Sequence, residues 1–412
     1  MTPRALLLAG ALLVAACGGH EGGERVDATR AAVVGGEVSA AADDFVVFLS
    51  HASQPNAACG GALVAPNLVL TAKHCVFEYP QQTESFCDAS GEPQVGSGGG
   101  FVTGPIPLAE IGVFPGADGR KRFVAGDPPA AIAKQIVDDG TPTLCSHDLA
   151  YVVLDRPITS APIARLRLGK RPEPSSFVAL AGWGKIEDRL NTEIRMRRSG
   201  IGIQRVGPPA PLADGAGSLG PRIFETGPGG CTGDSGSPAF DAQTGSVLGV
   251  LARAANLDGA DPISPCRPET VVNVYMTVND FPKPLRDAFA AASAEPWVEG
   301  RSSAGWLRFG DACSADLECE GDLCAAGSCN VACTKPGRSC PAGWSCGSSG
   351  RCEPSPADAG TAPEVDAAPA AAPPPADPGG CAMTRIPSRA NVPYLGPAVA
   401  AIVALVRRRR RC

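Results

Sequence analysis

The residues Gly229-Gly230-Cys231-Thr232-Gly233-Asp234-Ser235-Gly236-Ser237-Pro238 decide which fold and chemistry to expect of this 412-residue chain. A serine between an aspartate and a glycine, with more glycines before it, predicts a tight turn in which the backbone approaches a substrate closely. Backbone N–H groups that converge in such a turn can stabilise an oxyanion. Because a serine hydroxyl is a weak nucleophile at neutral pH, Ser235 needs a neighbouring base, and the motif predicts a histidine elsewhere in the chain.

Only one histidine has a context that suits this role. His74 lies in Thr71-Ala72-Lys73-His74-Cys75, and Asp148, at the head of an apolar run, suits the carboxylate that orients an imidazole. His147, beside Asp148, is interpreted as a structural or solvated neighbour rather than a second base. The four histidines of the chain are His20, His51, His74 and His147.

These three segments resemble the trypsin family. Thr71 to Cys75 is similar to its TAAHC motif, Asp148-Leu149-Ala150 to its DIAL segment, and Gly233 to Pro238 to its GDSGGP motif. They follow one another in the chymotrypsin order of His, Asp and Ser. The resemblance extends from Val33 to Ala292. It implies an all-β fold of two antiparallel six-stranded β-barrels with a C-terminal helix, and a serine endopeptidase that needs no cofactor and no metal.

The resemblance also assigns a role to each residue of the site. Ser235 attacks the scissile carbonyl, His74 accepts its proton and then protonates the leaving amine, and Asp148 fixes the tautomer of His74. The backbone N–H groups of Gly233 and Ser235 form the oxyanion hole.

Val33-Val34-Gly35-Gly36 resembles the IVGG start of mature family members. In the family, cleavage before this segment frees an ammonium group that pairs with the aspartate before the serine, which is Asp234 here. A buried carboxylate without a cation is costly, so this pairing is expected to build the oxyanion pocket. Ala32 precedes the cut and the nearest arginine, Arg30, lies two residues too early, which departs from the family pattern.

Four residues are expected to shape the pocket for the substrate side chain that precedes the cut. Gly229 stands at its floor, where trypsin-like members carry aspartate, so a buried lysine or arginine of the substrate would have no partner. Arg253-Ala254 replaces the family's Trp-Gly, and Asn273 replaces its usual glycine. The pocket is therefore expected to favour small or medium apolar side chains. The second outcome is an acidic preference caused by Arg253.

The cysteine content predicts disulfides, because seventeen cysteines are too many for a reducing compartment. Cys59–Cys75 and Cys231–Cys266 match bridges of the family. Cys87 and Cys145 are the cysteines left in this domain once the others pair, and a bridge between them is expected.

The chain divides into seven expected segments. The first is an export signal with a lipobox-like end at Cys17, which would be the lipidated residue; ordinary cleavage that leaves Cys17 unmodified is the alternative. The segments are a signal peptide (1–17), a leader (18–32), a trypsin-like domain (33–292), a connector (293–308), a Cys-rich module (309–352), a Pro/Ala-rich linker (353–380) and an anchor segment (381–412).

Eight cysteines in 309–352 indicate a disulfide-stabilised module, since a piece this small cannot bury enough core. They allow 105 connectivities, among which the sequence does not choose. Zinc is the competing interpretation, although the module has no histidine and no Cys-x-x-Cys pair. The module is either a spacer or a binding module for a surface or substrate.

The C-terminal segment combines Cys381, an apolar run over Val392 to Val406 that is expected to be helical, and arginines at 407–411. It resembles the C-terminal sorting tags of myxobacterial surface proteins. An ordinary tail anchor is the alternative interpretation.

The net charge of −6 does not indicate a nucleic-acid partner. The expected protein is therefore an exported monomer, anchored to the membrane or cell surface at the cell envelope, that hydrolyses proteins or peptides. The rival interpretation is a non-catalytic surface binding protein or adhesin on the same scaffold.

Overall fold

The computed structural model describes residues 36–53, 59–79, 87, 100–185, 191–207, 210–211, 218–256, 266 and 270–355. The proposed lipidation site Cys17, the proposed new N-terminus Val33, and the anchor segment 381–412 lie outside these residues. Among the helices of the described part, none is long and apolar enough to cross a membrane.

The first six long strands form a closed antiparallel barrel. Their order around the barrel is β1-β2-β3-β6-β5-β4, and β4 pairs with β1 to close it. The turn between β2 and β3 lies at Pro66-Asn67, as the turn-forming residues there predict. The strands are β1 (Val46–His51), β2 (Cys59–Ala65), β3 (Leu68–Thr71), β4 (Ile111–Phe114), β5 (Ala131–Val137) and β6 (Ala150–Leu154).

The next six long strands form a second closed barrel with the same order. They run β7-β8-β9-β12-β11-β10, and β10 pairs with β7. The expected fold of two six-stranded antiparallel barrels is thereby confirmed. The strands are β7 (Phe177–Gly182), β8 (Met196–Val206), β9 (Ile223–Thr226), β10 (Pro238–Phe240), β11 (Ser246–Asn256) and β12 (Val271–Thr277).

The continuous apolar run of β1 is explained by burial on both faces of the strand. Val47 and Leu49 pack inside the first barrel, whereas Val46 and Phe48 join the core between the barrels. Successive side chains of a strand point to opposite faces, so both sets must be apolar here. The same interbarrel core holds Trp183, whose side chain is fully buried and whose Nε1 donates to the carbonyl oxygen of Ala117 at 3.1 Å. Trp183 is thus a packing residue.

In the described part of the chain, two short α-helices flank the barrels. Helix α1 (Gly119–Val124) lies between β4 and β5, and helix α2 (Pro282–Ala291) follows β12. The sequence predicts a helix from Leu285 to Ala292, but α2 begins three residues earlier because proline is tolerated in a first helical turn. Its buried side chains, Leu285 and Phe289 among them, pack into the interbarrel core.

The remaining elements of the described residues are short. They are the 3-10 helices Ala41–Asp43, Lys73–Cys75, Leu108–Glu110, Val278–Asp280 and Asp316–Glu318, and the strands Glu37–Val38, Phe77–Glu78, Gly104–Pro105, Arg165–Leu166, Ala210–Pro211, Ser218–Leu219, Asp322–Ala325, Ser328–Val331, Trp344–Cys346 and Cys352–Pro354.

The Cys-rich region consists of two successive pairs of disulfides with the same pattern. In each half the first cysteine binds the third and the second binds the fourth. Every one of these eight sulfurs is engaged in a disulfide, so none is available as a thiolate for zinc. The pairs are Cys313–Cys324 and Cys319–Cys329, then Cys333–Cys346 and Cys340–Cys352.

Candidate active site

The loop that carries His74 follows directly from barrel strand β3. His74 is the central residue of the 3-10 helix Lys73–Cys75, and the Cys59–Cys75 disulfide ties this helix to the first residue of β2. Strand β3 holds one end of the loop and the disulfide to β2 holds the other, so the position of His74 is fixed. The pair is the one inferred from the family resemblance.

The loop that carries Asp148 is held just before barrel strand β6. Cys145 is buried and bonded to Cys87. Ser146 adopts the left-handed conformation, with φ of 56°, and the backbone N–H of Leu149 donates to the carbonyl oxygen of His147 at 2.9 Å. A non-glycine residue rarely occupies this conformation, so the surrounding contacts must hold the turn in place.

His74 and Asp148 meet through two hydrogen bonds. His74 Nδ1 donates to Asp148 Oδ2 at 2.7 Å, and the backbone N–H of His74 donates to Asp148 Oδ1 at 2.9 Å. Only 11% of the His74 side chain and 6% of the Asp148 side chain are exposed. Because Nδ1 carries the proton that Asp148 accepts, Nε2 of the neutral imidazole is left as the basic nitrogen.

The surroundings of His74 change its basicity in opposite directions. Burial lowers the pKa of His74, but the charge of Asp148 and its hydrogen bond outweigh burial, and the pKa lies above its ordinary value. The ring of Tyr79 packs edge-on against the imidazole, with 5.6 Å between the centroids. Burial and the nearby Asp148 charge raise the pKa of Tyr79, which therefore stays neutral. Nothing in the sequence around Tyr79 marks it as part of the site.

The turn that carries Ser235 packs on the His74 loop through glycines. The backbone N–H of Gly60 donates to the carbonyl oxygen of Ser235 at 2.7 Å. Gly236 has φ of 76°, and a Cβ there would lie 2.2 Å from Thr71 Oγ1. Gly236 is therefore required both for the turn and for its close approach to the segment that leads into His74. The half-buried Ser235 thereby lies against the loop of the proposed base.

The peptide that precedes Gly233 has a fixed orientation. The carbonyl oxygen of Thr232 accepts a hydrogen bond from the backbone N–H of Lys185 at 2.8 Å, and Gly233 has φ of 99°. In a planar trans peptide the N–H points away from the carbonyl oxygen, so the N–H of Gly233 faces away from Lys185. The carboxamide of Asn191 packs on the other side, since a Cβ at Gly233 would lie 2.6 Å from its Nδ2. Neither Lys185 nor Asn191 belongs to a motif that sequence reasoning detects.

Asp234 is fully buried beneath this turn. Its Oδ1 accepts from the backbone N–H of Gly184 at 2.7 Å and its Oδ2 from that of Cys231 at 2.9 Å. Burial raises the pKa of Asp234 to about 7, although the two N–H donors work in the opposite direction. In the described part of the chain no basic side chain pairs with this carboxylate.

The glycines of Gly182-Trp183-Gly184 make room for this carboxylate. A Cβ at Gly182 would lie 2.1 Å from Asp234 Oδ1, and a Cβ at Gly184 would lie 2.2 Å from Asp234 Oδ2. The motif is thus explained by close packing around Asp234.

The expected specificity pocket is narrow at its floor. The Asn273 carboxamide forms two hydrogen bonds to the backbone of Gly230: its Oδ1 accepts from the N–H at 2.8 Å and its Nδ2 donates to the carbonyl oxygen at 2.9 Å. A Cβ at Gly229 would lie 2.7 Å from Ile201 Cδ1 and 3.0 Å from Asn273 Oδ1. The sequence does not identify Ile201 as a pocket residue, because Ile201 lies on β8, far along the chain from the motif around Ser235.

The two other expected pocket residues lie on neighbouring β11. Ala254 pairs in register with Asn273 and packs against the Cys231–Cys266 disulfide, while Arg253 is half-buried. Asn273 and Ile201 lie next to Gly229 at the floor.

A comparison with protein-family models agrees with this architecture. The family model described as Trypsin matches residues 32–104. A search of curated protein sequences gave no match.

Several solved structures are similar in part. The scabies mite inactivated protease paralogue S-D1 is 17% identical and covers 64% of this chain and 100% of its own, with a TM-score of 0.44. A structure of human heparin binding protein is 19% identical and covers 63% of this chain and 96% of its own, with a TM-score of 0.42. The two closed six-stranded antiparallel barrels form the trypsin-like fold. Residues 32–104, which include His74, carry the sequence pattern of the trypsin family.

Proposed function

We propose that this protein is a serine endopeptidase that hydrolyses peptide bonds in proteins. The observation that carries the proposal is the 2.7 Å hydrogen bond from His74 Nδ1 to Asp148, which leaves Nε2 of the imidazole as the basic nitrogen. The Ser235 turn packs against the segment that leads into His74, with Gly236 close to Thr71. A buried, oriented imidazole of this kind is what a serine nucleophile requires.

In the proposed reaction, Ser235 Oγ attacks the scissile carbonyl while His74 Nε2 takes its proton. The negative charge that develops on the carbonyl oxygen is stabilised by the backbone N–H groups of Gly233 and Ser235. His74 then returns the proton to the leaving amine, and Asp148 stabilises the imidazolium throughout. Water hydrolyses the acyl-enzyme by the same steps, with His74 again as base.

The primary specificity follows from the floor of the pocket. Asn273 and Ile201 fill space next to Gly229: among the described residues they supply the atoms nearest to a Cβ built there, where a carboxylate would be needed to bind a lysine or arginine. The substrate residue before the cut is therefore a small apolar one.

Activation is proposed to require a cut before Val33. The support is the buried Asp234 carboxylate, whose raised pKa reports that its charge is poorly compensated. A new ammonium group at Val33 would supply the missing cation, and it would stabilise the turn that carries the oxyanion donors.

The second candidate function is non-catalytic binding on the same scaffold. The filled pocket floor favours it, because a protein that binds rather than cleaves needs no deep pocket. One of the similar structures is named as an inactivated protease paralogue and another as a heparin binding protein. Retention of His74, Asp148 and Ser235 together favours the enzyme.

A serine-directed fluorophosphonate probe distinguishes the two functions. We expect labelling of protein that begins at Val33, and none after Ser235→Ala. The matched control is Ser302→Ala, which removes an exposed serine far from the site in sequence and should label like the wild type. Absence of labelling in folded protein that begins at Val33 would overturn the protease proposal in favour of binding.

The many disulfides indicate an extracellular protein. We further propose attachment to the cell envelope through Cys17 or the segment 381–412. Deletion of 381–412 should release protein into the medium; if only Cys17→Ser does so, the lipidated N-terminus is the anchor.

A further inference from the structure

Lys73 and His147 immediately precede His74 and Asp148, and both bind one carboxylate. The Lys73 ammonium donates to Asp139 Oδ1 at 2.8 Å, and His147 Nδ1 donates to Asp139 Oδ2. These three side chains, the Lys73–Asp139–His147 bridge, link the loop of the proposed base to the loop of its orienting carboxylate. The link runs beside the direct His74–Asp148 contact and is independent of it.

The ammonium group at the centre of this arrangement has a full set of partners. Lys73 is fully buried, and besides Asp139 its Nζ binds Asp138 Oδ2 at 2.7 Å and the carbonyl oxygen of Thr141 at 2.9 Å. An ammonium group has three N–H donors, and three acceptors surround this one. Lysine is almost never fully buried unless it is paired, so the side chain is held in one position.

The charges of the cluster balance. Burial raises the pKa of the Asp139 carboxyl, but hydrogen bonds from His147 and Lys73 and the charge of Lys73 hold it well below its usual range. Arg222 lies 3.6 Å from the same carboxylate. Two cations, Lys73 and Arg222, face two carboxylates, Asp138 and Asp139, both of which are mostly buried.

We propose that the Lys73–Asp139–His147 bridge positions His74 relative to Asp148 for the hydrolytic reaction, and that the Lys73 charge offsets the Asp138 and Asp139 carboxylates, which Lys73 binds one residue before His74. The inference rests on the proposed function. The TAAHC motif has alanine at this position, so the bridge is a feature of this chain. Its residues act through His74 and Asp148 and are positioning residues.

Loss of the bridge has two separable consequences. A displaced base lowers the rate of the chemical step, since misplacement by about 1 Å can cost on the order of 100-fold. Loss of the Lys73 charge alone leaves Asp138 and Asp139 with one fewer facing cation, since Arg222 remains, and the added negative charge in the cluster that adjoins His74 along the chain should raise the pKa of His74. Asp148 and Tyr79 contact His74 directly. The titratable and charged groups of the adjoining cluster are Lys73, Asp138, Asp139, His147 and Arg222.

The kinetic test compares Lys73→Met with Asp139→Asn and with a charge control, Asp138→Asn. We expect kcat to fall roughly 10- to 100-fold for the first two variants, with KM within about twofold. The acid limb of the pH–rate profile should move to higher pH by about half a unit in Lys73→Met. Asp138→Asn removes one carboxylate but keeps the bridge, so kcat should fall less than about threefold and the acid limb should move the opposite way.

A second measurement does not depend on turnover. In a Ser235→Ala background, the pKa of His74 is followed by NMR titration, which is tractable because the chain has four histidines. Addition of Lys73→Met should raise the His74 pKa by about half a unit. Failure of the wild type to hydrolyse peptides would refute the protease function, whereas this titration still tests the bridge.

If Lys73→Met does not fold, His147→Ala and His147→Gln replace it. The glutamine amide can donate to Asp139, so His147→Gln should recover part of the kcat lost in His147→Ala. The inference is overturned if folded Lys73→Met or His147→Ala keeps kcat within about threefold of the wild type. An unmoved His74 pKa in Lys73→Met would overturn the charge argument.

Discussion

Replacement of Asn273 by glycine should open the pocket floor and change the primary specificity. The substitution removes the carboxamide that holds Gly230 through hydrogen bonds of 2.8 and 2.9 Å and lies against Gly229. The vacated space becomes available to the substrate side chain. We therefore expect Asn273→Gly to accept leucine, which the wild type rejects in favour of alanine.

The size of the change can be derived from apolar burial. Leucine carries three more carbons than alanine, and each buried methylene contributes about 0.8 kcal/mol. Full accommodation would therefore favour leucine by about 2 kcal/mol, which is roughly a 30-fold rise in the leucine-to-alanine ratio of kcat/KM. The same substitution should lower the free energy of unfolding by about 2 kcal/mol, because two buried hydrogen bonds are lost.

The assay uses a peptide series that differs only in the residue before the cut, together with urea unfolding. The matched control is Asn279→Gly, which removes another pair of hydrogen bonds, from Asn279 Nδ2 to the carbonyl oxygens of Leu168 and Lys170. Asn279→Gly should lower the free energy of unfolding by a similar amount and leave the primary specificity unchanged. The reasoning is refuted if the wild type cleaves after leucine as well as after alanine, or if Asn273→Gly leaves the ratio unchanged. Preference for lysine or arginine would refute the whole pocket assignment, and preference for glutamate would make Arg253 the determinant.

Three further outcomes follow from the described contacts. The pKa of Asp234 is raised from 3.8 to about 7, so between these pH values the folded protein keeps a proton on Asp234 that the unfolded protein has lost. Uncleaved protein should therefore lose roughly 4 kcal/mol of stability as pH rises from about 4 to 7. Urea unfolding at several pH values should show this slope in the wild type and not in Asp234→Asn, and equal slopes would contradict the prediction. Replacement of Cys87 and Cys145 by serine opens a loop with a sequence separation of 58 residues and should lower the free energy of unfolding by about 4 kcal/mol. The value of kcat should also fall, because the Asp148 loop is released. Unchanged kcat would show that the disulfide does not hold Asp148 in place. Arg286 on α2 donates to the carbonyl oxygen of Cys319 at 2.7 Å and lies 4.3 Å from the Trp306 ring centroid. Arg286→Ala should therefore increase proteolysis of the Cys-rich module. Arg286→Lys should not restore protection, because lysine lacks the planar guanidinium.

The features that could be predicted from the sequence are those encoded by neighbouring residues. The turn around Ser235 and the segments of His74 and Asp148 are short motifs. The residue types within each motif indicate the chemistry that it can perform. The strands were predictable where burial on both faces required a continuous apolar run, as in β1. Helix α1 was not predicted, because six residues beginning with glycine carry too little helical pattern to stand out.

The sequence by itself therefore determined the trypsin-like fold, the His-Asp-Ser order and the need for disulfides. Only the tertiary structure decided which cysteines of the Cys-rich region pair, that Ile201 and Asn273 meet at Gly229, and that Lys73 and His147 share Asp139. The physical reason is that each of these contacts joins residues on different strands or loops. Their proximity depends on how the strands close into barrels, and this closure cannot be predicted from the residues of any one short segment.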